Sequence, residues 1–141
     1  MKIVPLHLLF DFGLVVLIWM VQLVVYPSFK KYAKGDLIAW HTIYVRRIAL
    51  IVGPLMIGQL ILWGWQLYQR QSLYSLIIFL LVLFLWVFTL MYFAPVHRRI
   101  SNGSFTSNVL DQLENINWIR TLLWTLIFLL GFMEAYGQPI A

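Results

Sequence analysis

The chain has 141 residues, 62% of them hydrophobic and only 11% charged, with a formal net charge of +5. A soluble domain carries about 25% charged residues, so this composition points to a chain solvated by lipid and excludes a water-soluble globule. There is no cysteine, which excludes disulfides, thiolate metal sites and cysteine nucleophiles.

A helix crossing the roughly 30 Å hydrocarbon core needs about 20 apolar residues. Four stretches qualify, at roughly 3–28, 48–68, 73–94 and 118–136. The expected fold class is all-α, a four-helix integral membrane bundle in a single domain over 1–141. The first stretch follows Met1–Lys2 directly and lacks a small-residue cleavage site, so it reads as a retained span.

Span one carries His7, Asp11 and Gln22, and Tyr26–Pro27 is expected to mark its end, because proline disfavours helix at the residue before it. Lys34–Gly35–Asp36 reads as a turn with Asp36 as N-cap. Leu37–Arg47 then reads as an interfacial section leading into span two. Gly53–Pro54 should kink that span, and Ala49 with Gly53 should let another helix approach. Trp63, Trp65 and Tyr68 are expected to form an interfacial aromatic belt.

Span three has no small or polar residue between Leu76 and Thr89, so it should face lipid on much of its circumference. Ala94–Pro95 is expected to end it. A connection containing Ser101–Asn102–Gly103 follows. Val109–Asn117 reads as an interfacial helical section before span four, where Thr121 and Thr125 share a face.

Eight of the ten basic residues fall in or beside the first and third connections, and only Lys2 and Arg70 lie opposite. By the positive-inside rule these connections are cytoplasmic and both termini lie outside. The expected location is a bacterial inner membrane. The positive charge then reports topology, so the bilayer is the expected partner and a nucleic acid is not. The segments Pro27–Leu37 and Pro95–Phe105 align without a gap through proline, two basic residues and glycine. They suggest two duplicated hairpins about an axis along the membrane normal; the alternative is that any interface collects such residues.

A charge in the hydrocarbon costs roughly 2.5–3.5 kcal/mol on insertion scales and needs a reason. Two clusters stand out. At the cytoplasmic side are His41, Tyr44, Arg47, His97, Asn117 and Arg120. His41 and Tyr44 share a helix face, as do Asn117 and Arg120. Arginine forks suit a carboxylate, phosphate or propionate, and two histidines at similar depth can ligate haem iron. Snorkelling to headgroups is the plain alternative. The second cluster is His7, Asp11 and Glu134. His7 and Asp11 are four apart and within easy reach of a mutual hydrogen bond. Asp11 lies deep enough that it must be paired or neutral. The set could hold a divalent metal or relay protons, or serve as an interhelical contact, and no dedicated metal site is assigned. Gln22 and Gln59 read as interhelical amides. No phosphate loop, serine elbow, HExxH or EF-hand loop is present.

Trp19–Phe29 resembles small bacterial four-helix membrane protein families, and Ala94–Pro95–Val96–His97 with Asn117–Trp118–Ile119–Arg120 resemble the anthrone-oxygenase-like family, whose members are mostly uncharacterised. His7, Leu23 and Pro27 are more weakly similar to the four-helix membrane haem protoporphyrinogen oxidases, with Ser28 where that family has arginine. The first likeness implies the four-span layout; the second implies haem.

The leading expectation is a small amphipathic ligand or cofactor (quinone-like, haem or a lipid headgroup) held at the cytoplasmic-side mouth. The alternative is a non-catalytic scaffold or assembly subunit of a membrane complex or homo-oligomer. No motif decides whether the protein is an enzyme.

Overall fold

The computed structural model describes residues 5–137. The expected start of span one at Ile3, and Lys2 with its charge, lie outside that range. Four helices make up the bundle: α1 (Leu6–Phe29), α2 (Lys34–Arg70), α3 (Leu73–Ser101) and α4 (Ser107–Tyr136). Each is long and apolar enough to cross a bilayer, with mean hydropathy of 2.4, 1.8, 2.8 and 1.6 over its best window. The protein is an all-α integral membrane bundle with no strand among the described residues.

The helices run well beyond the apolar stretches. Leu37–Arg47 and Val109–Asn117 are first sections of the helices that follow, each continuous with its span. Once the first turn has formed, each further residue adds a hydrogen bond at little cost, so the helix passes through the bilayer boundary. Asp36 is not the N-cap of α2. Ala33 holds that position without a side-chain bond, and Asp36 sits in the first turn, where its carboxylate faces the positive end of the helix dipole. Pro54 lies inside α2 without breaking it.

Span one closes at Phe29, two residues past Pro27, whereas Pro95 does not end its span, which runs on to Ser101. In α1 the residues Val21–Val25 form a π-helical turn before Pro27, closed by Tyr26 N–H to Val21 O. In α3 the residues Thr89–Phe93 do the same before Pro95, closed by Ala94 N–H to Thr89 O. A proline ring clashes with the carbonyl four residues back and leaves it without a donor. Widening one turn to an i→i+5 bond moves that carbonyl aside, so the helix passes the proline. The same spacing separates the two prolines and the two π turns.

Helix α1 packs against α2 and α4, and α3 packs against α2 and α4. The helices therefore close a ring in chain order. The buried stripe of α3 runs through Ser75, Ile78, Val82 and Leu85, a spacing of three to four that gives one core-facing side. The stripe continues through Phe93 and Ile100, while Leu73, Leu80, Phe84, Val87 and Met91 face outward. Between α2 and α3, Gln71 adopts the left-handed conformation at φ 46°. Ser72 then caps α3 by accepting the Ser75 N–H at 3.1 Å.

The small residues that bring helices together are not those expected. A side chain added at Gly53 would meet nothing within 4 Å. Gly58 of α2 instead lies directly under the Phe10 ring of α1, and a Cβ on Gly131 would stand 3.0 Å from Trp63. Trp65 and Tyr68 are exposed as a belt should be, but Trp63 is fully buried. Its indole N–H has a partner inside the bundle, described below.

Candidate ligand cavity and its hydrogen-bond chain

The bundle opens towards its basic end into a cavity of about 560 Å³. It lies between Tyr44–Val52 of α2 and Thr89–Asn102 on the α3 side, and is backed by Tyr26 of α1 and Arg120 of α4. The volume falls inside the range of roughly 300–1,000 Å³ typical of small-molecule sites, and the lining is mainly apolar as such sites usually are. Both π turns contribute to it, through Val21 from one and Thr89, Leu90 and Phe93 from the other. Exposed Ala49 and Leu90 are also in the lining, so the cavity reaches the outer surface of the bundle within the apolar zone.

Along one wall runs an unbroken chain of hydrogen bonds. Ser101 Oγ lies 2.8 Å from His41 Nδ1. His41 Nε2 lies 2.9 Å from His97 Nδ1, and His97 Nε2 lies 3.0 Å from the Tyr26 hydroxyl. The rings of His41 and His97 stack at 5.1 Å and 24°. Phe29 and Tyr44 pack around His41, the former edge-on at 5.3 Å. His41 is fully buried and does not line the cavity; His97 and Tyr44 do.

Arg120 is buried, at 6% exposure. Its guanidinium rests over the Phe93 ring at 4.2 Å and the Trp124 ring at 4.9 Å. Its one hydrogen bond by geometry is NH1 to Asn117 Oδ1 at 3.4 Å. The Nε–H has no partner, and neither does the buried Thr89 hydroxyl. Among the described residues no carboxylate lies within 4.0 Å of Arg120.

Behind the cavity, Asn117 is fully buried and donates to Gln22 Oε1 at 2.9 Å. Thr121 donates to the same oxygen at 3.3 Å, and Gln22 Nε2 donates to the Glu114 carbonyl at 3.1 Å. These bonds tie α1 to α4 and fix Asn117 where it holds Arg120.

The structure thus brings together His41, Tyr44, His97, Asn117 and Arg120. It leaves Arg47 out: that side chain is exposed and outside the cavity lining. Arg46–Arg47 and Arg120 therefore differ in setting, two exposed and one buried. Tyr26, Ser101 and Thr89 belong to the site and were not anticipated. Tyr26 had a signal, a tyrosine in an apolar run directly before a proline. Ser101 and Thr89 had none.

At the opposite end, His7, Asp11 and Glu134 divide between two settings. Asp11 does not bond His7. Gln59 Nε2 donates to Asp11 Oδ1 at 2.7 Å, and Trp63 Nε1 donates to its two oxygens at 3.2 and 3.1 Å. Trp124 Nε1 completes the buried set by donating to Gln59 Oε1 at 3.1 Å. Donors on α2 reach Asp11 from the side, whereas His7 stacks on the Trp63 ring at 4.7 Å. His7 lines a smaller cavity of about 280 Å³ with Glu134 and Arg70, whose NH1 lies 3.5 Å from Glu134 Oε1. Ser75 also donates to that oxygen.

Neither histidine site fits haem. All four ring nitrogens of His41 and His97 are engaged in the chain, and the rings bond one another directly, so no nitrogen lone pair is turned towards an iron. The cavity beside His7 falls below the usual size range for a small molecule. Among the described residues no three His, Cys, Asp or Glu side chains come together as a metal-binding group. Comparison with protein-family models, curated proteins and solved structures finds no match.

Proposed function

We propose that this chain holds a small amphipathic ligand in the cavity between α2 and α3, with an anionic or carbonyl head against Arg120 and an apolar body along Val45, Ile48, Val52 and Leu90. The observation that carries the reading is the state of Arg120. Burying an ion costs several kcal/mol unless a partner compensates it. Here the guanidinium has aromatic faces and one long bond to an amide, and an unpaired N–H remains. A planar fork with free donors at the end of an apolar cavity is complementary to an oxygen-bearing head on a lipophilic body.

The surface opening at Ala49 and Leu90 supports uptake from the lipid phase. The charge bias of the connections supports placing the cavity at the cytoplasmic side of an inner membrane, with both termini outside. The matched π turns and prolines support a duplicated hairpin, in which Arg120 is the one lysine or arginine buried among the described residues.

The test is native mass spectrometry of protein released from lipid nanodiscs. Wild-type protein is expected to retain a bound amphiphile, Arg120→Lys to retain less, and Arg120→Gln to lose it. Identical bound species in all three would remove the ligand reading and favour a non-catalytic scaffold.

A further inference from the structure

We infer that Tyr26, His97, His41 and Ser101 form a proton relay along the cavity wall, from its buried end at Tyr26 to its rim beside exposed Asn102, so that the ligand is one whose head gains or loses a proton while bound, of the phenol or quinol type. This rests on the ligand reading above and adds the ligand's chemistry to it.

Hydroxyls and neutral imidazoles each offer both a donor and an acceptor. Four such groups in series, at 3.0, 2.9 and 2.8 Å, need a consistent direction: each must donate one way and accept the other. Arg120 sets that direction. It lines the same cavity as Tyr26, and as a cation with only donors it favours the orientation in which a Tyr26 lone pair faces the cavity and the Tyr26 O–H points to His97 Nε2. His97 then donates from Nδ1 to His41 Nε2, and His41 donates from Nδ1 to Ser101 Oγ. Every donor points from the buried end of the cavity towards Ser101 at its rim, next to exposed Asn102 at the end of α3.

A structural role alone does not account for this arrangement. Two histidines bonded ring to ring in an apolar bundle are an expensive way to join α2 to α3, which already pack along their lengths. As a conduit, the chain has no gap at any of its three contacts.

The transfer balances without an electron acceptor. The O–H of a bound phenol breaks, its electron pair stays on the phenolate beside Arg120, and its proton passes to the Tyr26 oxygen. The proton of Tyr26 moves to His97 Nε2, that of His97 Nδ1 to His41 Nε2, and that of His41 Nδ1 to Ser101. The Ser101 proton leaves to water. Both rings end in the opposite tautomer, and the reverse sequence restores them. The other ionisable side chains facing the chain and cavity are Tyr44, Arg98 and Arg120. Among them the two arginines are cationic and favour proton exit over retention.

An alkyl-substituted 4-nitrophenol tests the relay, because its absorbance reports its own ionisation. Protein in nanodiscs is mixed with the protonated probe in weak buffer containing a pH-sensitive dye. Tryptophan quenching reports binding, the phenolate band reports deprotonation and the dye reports release. In wild-type protein the three signals should rise together, with a proton released for each bound probe. The variants are His41→Gln, which keeps hydrogen bonds but has no tautomer to exchange, and His41→Leu. His41 does not line the cavity, so quenching should persist, with the phenolate band and proton release slowed at least about tenfold. Wild-type rates of ionisation in a folded His41 variant would overturn the relay and leave the ligand site standing. Absence of quenching in wild-type protein, or undiminished quenching in Arg120→Gln, would overturn the site itself and the relay with it.

Discussion

His41 of α2 and His97 of α3 are joined directly, ring nitrogen to ring nitrogen, at 2.9 Å. The outer nitrogen of each is engaged as well, by Ser101 and by Tyr26. Ligation of one iron by both rings would require breaking the bond between them and rotating at least one out of a packed aromatic setting. Purified protein supplied with haem should therefore show no bis-histidine absorption spectrum. A stable Soret band lost on His41→Ala or His97→Ala would show that the pair does open to iron.

Asp11 is the deepest carboxylate of the bundle, and α2 supplies its partners. Asp11→Leu leaves the Gln59 amide and the Trp63 indole N–H without an acceptor in a dry interior, at an expected cost of about 1–3 kcal/mol. Removing Trp63 N–H as well, with Trp63→Phe, should recover part of that loss. The expected coupling is about 1 kcal/mol, near the upper range for interhelical bonds in membranes. Unfolding in mixed detergent micelles measures it. Strict additivity of the two substitutions would mean that the bond contributes nothing.

Gly58 lets α1 and α2 approach, because the Phe10 ring occupies the space its side chain would take. Gly58→Ala should force Phe10 off its rotamer and cost about 1–3 kcal/mol, as overpacking commonly does. Phe10→Leu introduced beside it should restore most of the stability. If Gly58→Ala alone unfolds at the wild-type detergent midpoint, the contact is not tight.

Lys30, in the first connection, pairs with Glu114 Oε2 at 2.7 Å and Asp111 Oδ1 at 2.9 Å on α4. These hydrogen bonds, Glu114 first, hold its ammonium above the ordinary lysine range. With the folded value raised, the contribution is complete below the ordinary lysine pKa and fades as pH climbs through the raised one. Neutral and mildly basic conditions should therefore leave the contact unchanged, whereas high salt should screen it because the group is exposed. Thermal melts of Lys30→Gln and wild type should differ slightly at low salt and coincide in 1 M salt. A gap that persists at high salt would point to lost packing of the lysine stem.

The fold class and number of crossings were legible in the sequence, because each helix needs only its own run of apolar residues to satisfy lipid, and that requirement is local. The interhelical roles of Gln22 and Gln59 were legible for a similar reason: a polar group in an apolar run has few ways to be satisfied. The passage of α3 beyond Pro95 was not. Whether a proline ends a helix or is absorbed by a π turn depends on whether neighbouring helices hold the chain in register on both sides. The division among the arginines was equally hidden. Arg47 and Arg120 are alike in type and lie at similar distances from apolar sequence, yet one is exposed and the other buried. Only the closing of four helices into a ring decided which face of α4 turned inwards, and with it Arg120. The same closure set Tyr26, His97, His41 and Ser101 in one line, since hydrogen bonds between helices depend on rotation about each axis, a property no single segment encodes.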